Sequence, residues 1–132
     1  MSRSLFLLLT GIYGLLLAAA MLFMPTATLI NYGVAKPGLN HLASIQYLGM
    51  ANLMLGFISL ALRSSPNSYA LRIYLLAQAI HIIGGVLLGV YQTYGLHIPA
   101  SDFFFVDSLV RLAIGLAFLY YYNQATRQAQ SA

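Results

Sequence analysis

The run LFLLLTGIYGLLLAAAMLFM, residues 5–24, carries no charged residue. An α-helix needs about 20 mostly apolar residues to cross a hydrocarbon core about 30 Å thick, so the run reads as a membrane span. Arg3 in front of it gives the outline of a secretory signal. The run is longer than a signal's apolar region of about 7–15 residues, however, and Met21-Leu22-Phe23-Met24 offers no small-residue cleavage site. It is expected to be retained.

Three more windows share this character: residues 42–62, 73–91 and 103–122. The chain of 132 residues is 61% hydrophobic and 6% charged, against about 25% charged in an ordinary soluble domain. Outside the spans lie a short N-terminus, three loops and a tail of about ten residues, too little for a soluble catalytic domain. The expected architecture is all-α, a single transmembrane domain over residues 1–132 folded as an integral membrane four-helix bundle.

The chain has no cysteine, which excludes thiol–disulfide chemistry and thiolate-held iron–sulfur or zinc sites. The net charge of +4 forms no patch, so nucleic acid is not an expected partner. Topology accounts for the charges instead. With four spans, Arg3, Arg63, Arg72 and Arg127 fall on one side and only Lys36 on the other. The positive-inside rule then places both termini in the cytoplasm of a multi-pass membrane protein. The same bias argues against dual topology.

Aromatic residues mark both interfaces: Tyr69, Tyr74 and Tyr120-Tyr121-Tyr122 inside, Phe23, Tyr91, Tyr94 and Phe103-Phe104-Phe105 outside. In the longest loop, residues 25–40, Pro25 suits a helix N1 position, Leu29-Ile30 offers an apolar face and Gly33 can end a turn, which predicts a short interfacial helix. Pro66-Asn67 marks a tight cytoplasmic turn, and Gly95 with Pro99 marks the last external loop.

A stripe at alternating spacings of four and three runs along every span. It reads Leu7, Gly11, Gly14, Ala18, Met21 in the first and Ile45, Gly49, Asn52, Gly56, Ser59 in the second. The third has Tyr74, Gln78, His81, Gly85, Leu88, Gln92, and the fourth Phe104, Ser108, Arg111, Gly115, Phe118, Tyr122. This is the spacing of left-handed helix packing, and small residues permit the close approach on which helix association in lipid depends. Gly14, Gly49, Gly56, Gly85, Gly89 and Gly115 are therefore the expected packing positions. Gly49, Asn52 and Gly56 match Ser108, Arg111 and Gly115 at a constant offset, and Gly14 and Ala18 match Gly85 and Gly89, which suggests a parallel 2+2 repeat of helical hairpins.

Ionisable groups within a span are costly and mark candidate sites. His81, Asp107 and Arg111 qualify. Asp107 and Arg111, four apart on one helix, can neutralise each other without any further role. Counting depth from opposite ends brings His81 and Arg111 toward the midplane, where Asn52 and Gln78 can complete a polar cluster for ligand or packing. A haem with two axial histidines is not expected, because His41 and His97 lie near the outer surface. His81 alone is a candidate axial ligand for a chlorophyll-type pigment or a five-coordinate haem, against the commoner reading of a hydrogen-bonded packing histidine. No metal triad and no base for a serine nucleophile is present, and no catalytic residue is assigned: the chain is not expected to be an enzyme. The membrane glutamate of small multidrug exporters is missing, as are the N-terminal arginine motif and third-helix segment of fluoride channels, which Gly49 to Phe57 otherwise faintly echoes.

Gly11 to Gly14, Pro25 followed by Tyr32-Gly33, Gly49 with Gly56, and Arg111 with Gly115 resemble the small four-helix bacterial membrane proteins of the DoxX-like and related domain-of-unknown-function families. That resemblance implies a four-helix bundle. Members linked to quinone or thiol oxidation act within larger membrane assemblies, and without cysteine the thiol branch does not carry over. The expected function is a non-enzymatic accessory subunit of a larger photosynthetic or respiratory membrane complex. Its partners would be other membrane protein subunits and lipids, and it would stabilise assembly or bind lipid, quinone or pigment. The alternative is a stand-alone small-ligand binder or transporter using the His81, Asp107 and Arg111 group.

Overall fold

The computed structural model describes residues 1–131, which form five α-helices and no strand. Four are long and apolar enough to cross a membrane: α1 (Arg3–Phe23), α3 (Leu39–Leu62), α4 (Tyr69–Tyr94) and α5 (Asp102–Gln130). Their 21, 24, 26 and 29 residues correspond to lengths of about 31 to 43 Å at the α-helical rise. Between the first two lies α2 (Pro25–Asn31), with Pro25 in its first turn.

Local chemistry sets the helix ends. Ser2, Ser68 and Ser101 each accept a bond from the backbone N–H three residues on, at 3.2 Å, and so begin α1, α4 and α5. Helix α1 stops at Phe23 because Pro25 disfavours helical dihedrals at the residue before it, and Met24 sits at φ −129°, ψ 48°. Helix α5 runs well past residue 122, since Asn123 to Gln130 contains Gln, Ala and Arg but no glycine or proline to halt it. Helix α2 ends in a Schellman turn. Gly33 at φ +103° lets its N–H reach Ile30 O and that of Val34 reach Leu29 O, both at 3.0 Å.

The chain divides into two units. The first comprises Met1–Ser64 with Pro99–Phe104, and the second comprises Ser65–Ile98 with the chain from Phe105 onward.

In the first unit α1 and α3 meet backbone to backbone. A Cβ on Gly14 would stand 3.2 Å from Gly56 Cα, and one on Gly56 would stand 3.0 Å from both Gly11 O and Leu15 N. Gly49 lies against Met21 and Leu22, where an added Cβ would be 3.0 Å from each. Leu7, Gly11, Ala18, Met21, Gly49, Gly56 and Ser59 are buried, and Gly14 and Asn52 are half-buried.

Side chains add donors to the carbonyls at and just after the end of α1. Thr28 Oγ1 donates to Ala20 O at 3.1 Å and Met24 O at 2.9 Å, and Gln46 Nε2 donates to Leu22 O at 3.3 Å. Ser101 Oγ donates to Asn31 O, and the Tyr32 and Phe103 rings meet edge-on at 5.2 Å. The loop before α5 is thereby joined to α2.

In the second unit α4 and α5 run antiparallel. Asn67 Nδ2 donates to Ala125 O at 2.8 Å, the Tyr74 and Phe118 rings meet edge-on at 6.4 Å, and the Gly115 backbone lies against Ile82 and Ile83. On α5, Gly115 and Phe118 are buried as the spacing predicts, followed by Tyr121 in place of Tyr122. Helix α4 departs further from expectation. Its buried residues are Leu71, Leu75, Gln78, Ala79, Val86 and Gly89, while His81, Gly85 and Leu88 are exposed. No atom lies within 4 Å of where a Gly85 Cβ would be, so Gly85 is not a site of close approach. The buried line advances from Gln78 and Ala79 through Val86 to Gly89, leaving His81 and Gly85 outside.

Candidate functional site

The ionisable residues within the spans lie in the second unit. Asp107 and Arg111 are one turn apart on α5, and Arg111 Nε donates to Asp107 Oδ2 at 2.6 Å. Their side chains are 11% and 25% exposed respectively, so the pair sits at the margin of the packed surface. A charge-assisted bond of this kind is about twice as strong as a neutral one, and in a low-dielectric layer it offsets part of the cost of desolvating the two charges.

The other expected members occupy different positions. Gln78 is buried on α4 and donates through Nε2 to Tyr74 Oη at 2.6 Å, so its amide serves its own helix. His81 is exposed one turn further on, on the helix adjacent to that of Arg111. Asn52 belongs to the first unit, where its Nδ2 donates to Leu48 O at 2.9 Å and contacts Met21 Sδ at 3.8 Å.

The remaining histidines lie at a helix start or in a loop, away from the middle of the spans. His41 Nδ1 accepts the Gly38 N–H at 3.1 Å and helps begin α3. His97 takes the left-handed backbone, φ 56°, in the loop after α4. Among the described residues no three His, Asp or Glu side chains gather where a metal ion would be held.

Sequence spacing missed Thr28 and Gln46, which close the end of α1. The signal that could have found them is position: each is a hydrogen-bonding side chain within one or two turns of a helix terminus that has no Gly or Asn after it.

Comparison with family models, with curated proteins and with solved structures gives no match.

Proposed function

We propose that the chain is a non-enzymatic accessory subunit of a larger bacterial membrane complex, photosynthetic or respiratory, docking through the outer face of α4. The observation that carries this reading is a row of exposed residues on that face. Ala70, Ala77 and Gly84 recur every seven residues with Ile73 and His81 between them and Leu88 beyond, all exposed, and open space lies beside Gly84. Small residues at heptad spacing suit the close approach of another helix in lipid. An imidazole on the same row is costly against hydrocarbon and favours a partner or a bound head group. Lipid, a quinone or a pigment with His81 as its axial ligand fits the same position.

The wider reading has both termini cytoplasmic and the four spans packed left-handed as a bundle, with the 2+2 repeat relating its hairpins. The charge asymmetry, the glycine contacts of α1 with α3 and the resemblance to DoxX-like proteins support it.

Isolation in mild detergent, with an absorption spectrum and a list of co-migrating subunits, tests the proposal. Further membrane subunits or a pigment band are expected, and Gly84→Leu should deplete them while α-helicity is kept. A protein that migrates alone and colourless would sink it.

A second reading, a small-ligand binder, is favoured by one observation: Arg111 keeps a quarter of its side chain exposed beside Asp107. An acceptor head group entering from the lipid would meet it there. Arg111→Leu with helicity retained should abolish ligand retention, and undiminished retention would remove this reading.

A further inference from the structure

The end of the second unit where α4 begins and α5 finishes is built of tyrosines and arginines. Tyr69 and Tyr120 are exposed there, Arg72 is half-buried one turn into α4, and Arg127 is exposed in the last turn of α5. The only acids of the chain, Asp102 and Asp107, belong to the opposite end of α5. Neither aspartate can therefore serve as a counter-charge at this end.

The hydrogen bond from Asn67 to Ala125 fixes the register. It sets Arg72 level with Tyr120 and places Arg127 about seven residues further out, about 10 Å along the axis. Helical side chains lean toward the N-terminus of their own helix. Because α4 and α5 are antiparallel, Arg72 leans out of the span while Arg127 leans back toward it. Both guanidinium groups are thus drawn to one layer just beyond the tyrosines, the depth at which interfacial aromatics meet lipid headgroups. Around the axis they diverge. Ala125 faces α4, and Arg127, two residues on, points about 200° away from it at the α-helical twist of 3.6 residues per turn.

We propose that this end of the second unit is a docking surface for anionic phospholipid headgroups, with Arg72 and Arg127 each holding the phosphate of a separate lipid. Charge complementarity selects the occupant: two cations with neither aspartate at their end of the unit, at headgroup depth, flanked by exposed tyrosines. The planar guanidinium matches phosphate in two-point hydrogen bonding. Each such cation is worth about a five-fold preference for an anionic over a zwitterionic surface. The inference stands apart from the docking of a partner subunit on α4.

The test uses the full chain in micelles containing phosphatidylglycerol and phosphatidylcholine of the same acyl chains, with retained lipid counted by native mass spectrometry. The wild type should prefer phosphatidylglycerol. Arg72→Gln and Arg127→Gln should each reduce that preference about five-fold, Arg72→Lys and Arg127→Lys should keep most of it, and Lys36→Gln should leave it unchanged. Equal retention of the two lipids by the wild type, or Gln variants as selective as the wild type, would overturn the proposal. Should the Gln variants fail to fold, loss of preference in the charge-keeping Lys variants overturns it equally. Displacement of the lipid by a soluble polyglutamate would assign the surface to an acidic protein segment and also overturn it.

Discussion

Arg111 Nε stands 2.6 Å from Asp107 Oδ2, one turn apart on a helix long and apolar enough to span a membrane. Removing one partner strands the other in a low-dielectric layer. Arg111→Leu or Asp107→Leu alone should therefore destabilise the fold by about 2–4 kcal/mol, whereas the double substitution should come within about 1 kcal/mol of the wild type. Denaturant unfolding in detergent measures all three, and a double variant as unstable as the sum of the singles would show that the two residues act independently.

Gly56 and Gly84 should answer to the same substitution with opposite signs. Alanine at Gly56 forces a methyl to 3.0 Å from backbone atoms of Gly11 and Leu15, so Gly56→Ala should cost about 1–3 kcal/mol despite its better helix propensity. Gly84 has nothing within 4 Å, so Gly84→Ala should be neutral or gain up to about 1 kcal/mol. Thermal midpoints of the two variants make the comparison.

Thr28→Val keeps the shape of the side chain and deletes its hydroxyl, leaving the Ala20 and Met24 carbonyls without that donor. A loss of about 1–2 kcal/mol is expected. Amide hydrogen exchange should quicken across α2 and the last turn of α1 and be unchanged in α4; uniform change along the chain would argue against a local role.

Gly33 holds φ at +103° with its α-carbon beside Ala100 and Ser101. Gly33→Ala should cost about 1–2 kcal/mol through backbone strain alone, more if Ala100 and Ser101 cannot give way. Amide hydrogen exchange over residues 29–34, beside the edge-on packing of Tyr32 on Phe103, reports whether the turn opens.

Apolar length and charge parity made the spans readable from sequence, and Pro25 with Gly33 located α2, because these signals are local. Stripe position on α1 and α3 was equally readable: Gly11, Gly14 and Gly56 are in contact because glycine at that spacing leaves backbone as the nearest surface. On α4 the same rule misled. A heptad stripe of polar and small residues marks a face fit for contact, but which neighbour it contacts is not encoded in the spacing. Ile82 and Ile83 took the contact with Gly115, leaving His81 and Gly85 outside. The Asp107–Arg111 pair was legible because its partners share a helix, whereas the side of α4 on which His81 lies depends on the rotation of α4 against α5, which spacing along one helix does not supply.

The closing of α1 by Thr28 and Gln46 has a consequence for the membrane itself. A helix terminus usually has to reach water so that its last carbonyls are hydrated, which ties its length to the local thickness of the bilayer. Here a neighbouring turn and a facing helix supply donors to Ala20, Leu22 and Met24. The shortest of the four spans thereby leans less on water at that end, because the Leu22 carbonyl is met by the facing helix, and its length is tied less tightly to the local bilayer thickness.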